Sequence, residues 1–357
     1  MPFGPIRLFC VPLRVMLKSV INEDNVKAVR KLLEESERIV ITCHKSPDGD
    51  AIGSAFGLAH TLANIGKEAK VVTPDRPPRN LRFLPGVKEV VPYTMYPDFA
   101  HQLLQDADLV FCLDFNALYR VDRMRDELAA SPAVKVMIDH HEDPEPFTQV
   151  TISHPEQSST SVLVFRLLCR LELFDRIDRK AATCIYTGMM TDTGNFTYNS
   201  NDPDLYIIIA ELLRKGINKD DLYKRVMNTR STSTLKLHAY AIAERMQIFP
   251  ELHTSLIVLT QDELKRYDYH PGDDEGLVNE PLGIENMVYS VYLREDKDQI
   301  KVSTRSVGNF RADLICNQYY NGGGHVNAAG GELKCSLDEA IEVFRSTFPD
   351  IEKYLHQ

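Results

Sequence analysis

Apolar residues along the first part of the chain alternate between helical spacing and short continuous runs. Behind Asn22, a side chain suited to capping a helix, NVKAVRKLLEESER carries its apolar positions at helical intervals. RIVITC follows as a β-branched run that predicts a buried strand. The turn HKSPDGD then leads into an apolar helix, AIGSAFGLAHTLANIG, that closes near Gly66, and EAKVV predicts the next strand. Strand, turn, helix and strand in that order make the repeating unit of a parallel sheet. ADLVFCLD and VKVMID repeat the pattern, and each ends in an aspartate at the strand's carboxyl end. Open α/β sheets bind their ligands at that edge.

From Ser158 to about Met227 the pattern is helical, with STSVLVFRLLCRLEL and KAATCIYTGMM as amphipathic runs. NTRSTSTLK, at 228–236, is polar and rich in Ser and Thr, which places a domain boundary there. Strands are predicted again in SLIVLT, NMVYSVYLRE and QIKVSTRS, with helices between them and a last helix after Ser336. The expected organisation is an α/β domain over 16–228, a linker over 229–236 and a smaller α+β domain over 237–357. Residues 1–15 read as an extension or a mis-assigned start ahead of Met16.

A length of 357 residues supports two real cores. Lys and Arg total 41 against 51 Asp and Glu, for a net charge of −10. That balance argues against a long nucleic-acid groove, which normally carries a basic stripe, and leaves room for a small anionic substrate. The seven cysteines show no CxxC pair, and most sit in apolar runs, as Cys112 and Cys184 do; they read as buried thiols of a reducing cytoplasm. No apolar stretch approaches the ~20 residues of a membrane span, and the amino terminus lacks a signal-peptide pattern.

Candidate chemistry gathers at four places. His44, Asp48 and Asp50 lie in HKSPDGD, where Pro47 and Gly49 shape a tight turn. Asp114 ends one strand, and Asp139, His140 and His141 end another. Asp192 sits near the end of an apolar helix in GMMTDTGNF. Each alone has an ordinary structural reading as a turn, a cap or an edge histidine. Together, and in this order, HKSPDGD, LD, DHH and TDTG resemble the motifs of the DHH phosphoesterase superfamily. VSTRS followed by NGGGHVNAAGG resembles the DHHA1 domain, so the resemblance covers nearly the whole chain beyond Met16. Within the superfamily the chain looks most like the small bacterial nanoRNase/pAp phosphatases.

The resemblance implies two divalent cations. His44 and Asp48 would hold one, Asp50, His140 and Asp192 the other, and Asp114 would bridge both. His141 would face the substrate phosphate, with Asp139 orienting a ligand histidine. A donor set of imidazoles and carboxylates without sulfur favours Mn²⁺, or else Mg²⁺. In the second domain Gly322, Gly323, Gly324, His325 and Arg305 would take a substrate phosphate, which implies a cleft between the domains; Arg120, soon after the Asp114 strand, reads either as a residue reaching that cleft or as a solvated surface cation. The expected reaction is hydrolysis of short single-stranded oligoribonucleotides to mononucleotides and of 3′-phosphoadenosine 5′-phosphate to AMP. Cleavage of cyclic or linear dinucleotides is the alternative, and a non-catalytic nucleotide sensor a lesser one. Neither a long duplex nor a membrane is an expected partner, and a homodimer is an assembly the sequence neither requires nor excludes.

Overall fold

Asn22 caps the first helix by accepting from the Asn25 backbone N–H, and α1 (Glu23–Glu35) runs from there with Val26, Val29 and Leu33 buried. A computed structural model describes residues 19–355. The proposed start at Met16, the extension over 1–15 and Cys10 lie outside the described residues. The chain divides into two units, Met1–Thr229 and Arg230–Gln357.

In the first unit the strands are β1 (Ile39–Cys43), β2 (Ala69–Thr73), β3 (Val91–Pro92), β4 (Leu109–Leu113), β5 (Val134–Asp139) and β6 (Val150–Ser153). Helix α2 (Gly49–Ala63) follows β1, α3 (Pro97–Asp106) precedes β4, and α4 (Arg125–Ala130) lies between β4 and β5. The helices α5 (Thr160–Arg170), α6 (Arg179–Asp192), α7 (Pro203–Arg214) and α8 (Lys219–Val226) complete the unit. The sheet order is β3-β2-β1-β4-β5-β6, with parallel pairing throughout. β1 and β4 are buried along their whole length. Their side chains go alternately to two cores. Ile39, Ile41, Leu109, Phe111 and Leu113 join the helical layer that includes Leu163 and Ile185. Val40, Val110 and Cys112 join Leu104 and Leu128 on the other face. Burial on both faces explains why these strands read as continuous apolar runs. The chain leaves β1 towards β2 and β3 on one side and β4 towards β5 and β6 on the other, so the order reverses between β1 and β4. Such a reversal opens a crevice at the carboxyl ends of the two strands. The edge strands β3 and β6 escaped the sequence reading, since one is two residues long and the other short and partly exposed.

The second unit holds α9 (Thr232–Tyr240), β7 (Met246–Phe249), β8 (Thr254–Leu259), α10 (Gln261–Arg266), β9 (Tyr289–Glu295), β10 (Ile300–Ser306) and α11 (Ala312–Tyr319). It ends with β11 (Gly323–His325), β12 (Ala328–Leu333), α12 (Leu337–Ser346) and α13 (Phe348–Leu355). Its sheet runs β11-β12-β10-β9-β8-β7, antiparallel except for the β8–β9 pair. Tyr289, Val291, Leu293, Phe310 and Phe344 centre its core.

One local expectation differs from what forms. The linker placed at 229–236 is helical from Thr232 onward, because Ser231 is an N-cap that accepts from the Thr234 backbone N–H. The Ser and Thr there supply capping chemistry. Gly323 and His325, read from the sequence only as candidates for phosphate binding, belong to a strand paired with β12. Among the described residues no helix is long and apolar enough to cross a membrane.

Candidate metal centre and active site

The carboxyl ends of β1, β4 and β5 converge where the strand order reverses. His44 directly follows β1, Asp114 follows β4, and Asp139 closes β5 with His140 and His141 next in the chain. Asp114 adopts φ +64, a left-handed conformation costly for a residue with a Cβ, and its backbone N–H donates to Ile138 O at 3.1 Å. Asp48 is the N-cap of α2, accepting from the Asp50 and Ala51 N–H groups at 3.0 Å each. Asp192 is the last residue of α6.

Asp114 is 2% exposed and its two carboxylate oxygens point in different directions. Oδ2 lies 3.3 Å from His44 Nε2, whereas Oδ1 lies 3.5 Å from His140 Nε2. His44 Nε2 is also 3.7 Å from Asp48 Oδ1, and His140 Nε2 is 3.5 Å from Asp192 Oδ2 and 3.9 Å from Asp50 Oδ2. Two ligand groups result: His44, Asp48 and Asp114, and Asp50, His140 and Asp192, each with its ligand atoms within 4.8 Å of one another. Asp114 can serve both.

The histidine tautomers test whether cations fit. His44 Nδ1 donates to Lys45 O at 2.7 Å, and His140 Nδ1 donates to Gln157 O at 3.2 Å. In the neutral rings each Nε2 is therefore a lone pair facing carboxylate oxygens, an arrangement that calls for a proton or a cation between them. The acidities agree. Burial opposes charge on His44, yet the Asp114 and Asp48 carboxylates outweigh it and hold its pKa well above the ordinary value. Burial, then the charges of Asp114 and Asp192, push the Asp50 pKa far up. Burial also opposes ionisation of Asp114, but hydrogen bonding to His44 and the three nearby imidazoles carry its pKa well below the usual range. A pair of divalent cations would relieve this crowding, and the residues present fit them.

Asp50 is buried and firmly held. Oδ2 accepts from Thr160 N at 2.6 Å and Oδ1 from Ser161 N at 2.9 Å, both in the first turn of α5. The positive end of that helix favours a carboxylate. Thr160 Oγ1 donates to Asp114 Oδ1 at 3.0 Å. Gly188 on α6 lets these groups meet: a Cβ there would stand 2.0 Å from Ser161 Oγ and 2.8 Å from Asp50 Oδ1. Thr160, Ser161, Gln157 and Gly188 were missed in the sequence reading. The run SSTS was the available signal, since consecutive hydroxyl residues before an apolar helix mark a cap.

Asp139 is fully buried, and the histidine it holds is His141 rather than one of the histidines of the two ligand groups. Its side chain accepts from His141 Nδ1 at 2.8 Å and from the His141 backbone N–H at 3.1 Å. This fixes the ring with Nε2 as its proton-accepting nitrogen. Burial lowers the His141 pKa, partly opposed by Asp139, with the positive charge of Arg120 adding to the lowering.

In the second unit, Arg305 on β10 and His325 on β11 each stand opposite Ala328 of β12. Residues in one register row share a face of the sheet, so sequence positions twenty apart are brought together. Gly322 has no room for a side chain, because its Cβ would lie 2.0 Å from Gly330 O, while a Cβ at Gly323 would meet open space.

The fold and the paired ligand groups define a metal-dependent phosphoesterase, and the chain belongs to the DHH/DHHA1 superfamily: residues 38–189 match the DHH family, N-terminal domain, and residues 253–350 the DHHA1 domain. It is 33% identical over 321 residues to the bifunctional oligoribonuclease and PAP phosphatase NrnA of Thermus thermophilus, covering 89% of this chain and 92% of that protein. It superposes with a TM-score of 0.92 on the crystal structure of an exopolyphosphatase-related protein from Bacteroides fragilis, at 48% identity over 96% of this chain and all of that one. The cyclic-di-AMP phosphodiesterase GdpP of Geobacillus thermodenitrificans is 25% identical over 355 residues, which span 90% of this chain and 49% of that protein.

Proposed function

We propose that the chain cleaves short oligoribonucleotides to mononucleotides and removes the 3′-phosphate of 3′-phosphoadenosine 5′-phosphate, using two Mn²⁺ ions. The observation that carries this reading is the division of the Asp114 carboxylate between His44 and His140. His44, Asp48 and Asp114 would hold one ion, and Asp50, His140, Asp192 and Asp114 the other. Two such ions lower the pKa of water and neutralise phosphoryl oxygens.

His141 acts at the reacting phosphate through Nε2, with Asp139 holding its tautomer. Arg305 and His325, assisted by the exposed backbone at Gly323, bind the phosphate that does not react, since Arg suits bidentate contact with such a group. Similarity to the Thermus relative, 33% identity over 92% of its length, supports these substrates. Cyclic dinucleotides are the second reading, on the strength of the Geobacillus relative, of which this chain spans half. Buried thiols at Cys43, Cys112, Cys184 and Cys316 suit a cytoplasmic setting.

A panel of 3′-phosphoadenosine 5′-phosphate, RNA dimers to pentamers, 20-mers and cyclic dinucleotides, assayed with Mn²⁺, tests the reading. Dimers to pentamers should be cut faster than 20-mers, releasing mononucleotides with a shallow salt dependence, because a chain of net charge −10 offers few cations to a long backbone. Exclusive turnover of cyclic dinucleotides, or full turnover without metal, overturns it.

A further inference from the structure

We propose that Arg120 binds the reacting phosphate of the substrate, as a cation that the first unit holds beside its acidic centre. This rests on the phosphoesterase reading above and adds a substrate-contacting residue to it.

Arg120 lies in the segment after β4, in a 3₁₀ turn over Leu118–Met124. Its placement is set from three sides. The Arg120 carbonyl accepts from Lys45 N at 2.7 Å, which ties the residue to the loop that carries His44. Asn116 Nδ2 donates to Glu142 O at 2.6 Å, and Glu145 N donates to Asn116 O at 2.7 Å, which tie the same segment to the chain just past His141. Val121 and Met124 are fully buried and anchor the turn in the core. Arg120 is thus pinned between the loops that bear His44 and His141.

The side chain is half-buried and yet, among the described residues, its guanidinium makes no hydrogen bond, ion pair or ring contact. Exposed arginines such as Arg76 and Arg79 show none either among the described residues, but the other partly buried arginines have partners, as Arg30, Arg82 and Arg305 do. Arg166 pairs with Asp202 and Asp204, Arg294 with Asp274 and Asp296, and Arg170 with Glu23. The charge of Arg120 reaches His141. A guanidinium on a half-buried side chain, without a partner among the described residues, has its five donors available to a group not supplied by the protein. The carboxylates of the centre are committed to the two ligand groups, to the α5 amides and to His141. The anion left to meet Arg120 is the one brought by the substrate, and a phosphate matches the planar fork of the guanidinium. Lysine has a single point charge and would reproduce this only in part.

The test uses the Mn²⁺-loaded full chain with Arg120→Ala, Arg120→Gln and Arg120→Lys. Two things are measured: kcat and KM for 3′-phosphoadenosine 5′-phosphate, and the affinity for inorganic phosphate by calorimetry. Loss of kcat/KM by about a hundredfold in R120A and R120Q, with partial recovery in R120K, is expected from removal of one charged donor at a reacting group. Phosphate affinity should fall at least several-fold in R120A and R120Q while Mn²⁺ stoichiometry stays at the wild-type value. Wild-type phosphate affinity in R120Q, or activity within threefold of wild type, overturns the proposal. Loss of Mn²⁺ along with activity in all three variants overturns it too, since that marks a structural role. The phosphate measurement stands apart from nucleotide turnover. A wild-type protein inert to every nucleotide but with phosphate affinity dependent on Arg120 would refute the substrate reading and leave this one intact.

Discussion

Asp139 grips His141 twice, at the ring Nδ1 through Oδ1 (2.8 Å) and at the backbone N–H through Oδ2 (3.1 Å). A carboxylate with no exposure thereby fixes where an imidazole stands and which of its nitrogens carries the proton. Asp139→Asn keeps the size but can present its NH₂ to Nδ1, which favours the other tautomer. We expect kcat to fall by roughly 10–100-fold with both metal ions retained. Burial, the leading cause, already lowers the His141 pKa and Asp139 opposes it. Removing the carboxylate should therefore move an acid limb due to His141 to lower pH. A shift to higher pH, or unchanged kcat, would count against this role.

Asp114 faces both ligand groups, so its loss should empty both. Asp114→Ala is expected to reduce activity on the order of a thousandfold or more. Metal analysis should show neither ion at full occupancy, and retention of one tightly bound ion would indicate that Asp114 serves a single group.

For metal-free protein the pH dependence follows from His44. Its folded-state pKa is raised because Asp114 and Asp48 outweigh burial. The stabilisation is thus fully present below the unfolded value, about 6.5, and is lost as pH climbs through the raised folded value. Asp50, its pKa raised by burial and by the charges of Asp114 and Asp192, acts in the same direction. The Tm of metal-free protein should decline above about pH 6.5, whereas the gain in Tm on adding Mn²⁺ should grow, because cations bind the deprotonated ligands. Thermal melts in EDTA and in Mn²⁺ across pH 6–9 would expose the opposite trend.

Gly188→Ala forces a methyl to within 2.0 Å of Ser161 Oγ and 2.8 Å of Asp50 Oδ1. Overpacking of this kind costs about 1–3 kcal/mol, or roughly 2–12 °C in Tm for a unit of this size. Mn²⁺ affinity should weaken as well, since Asp50 is displaced. Unaltered melting and metal binding would show that α6 moves aside without cost.

Arg305→Ala and His325→Ala, in the second unit, should raise KM roughly tenfold and leave kcat nearly intact. The converse pattern, a fall in kcat at constant KM, would place these residues at the reacting phosphate instead.

Much of the centre was legible in the chain itself. RIVITC, LVFCL and VKVMID are buried on both faces of a parallel sheet and therefore read as apolar runs, so the polar residues that end them mark the edge where ligands bind. That is why the sequence alone assigns His44, Asp114, Asp139, His140 and His141 to one sheet edge. Local sequence also set the caps at Asn22 and Ser336, because a cap is satisfied within one turn. Tertiary structure alone decided the rest. It brought the amides of Thr160 and Ser161 to Asp50, 110 residues earlier in the chain, and turned the two oxygens of Asp114 towards different histidines. It put Arg305 and His325 on one face of a sheet through their common neighbour Ala328, and left the Arg120 guanidinium without a hydrogen bond or ion pair among the described residues. These relationships depend on which elements pack together and at what register. Periodicity and spacing carry the faces of single elements, and only the packed chain fixes the distances between them.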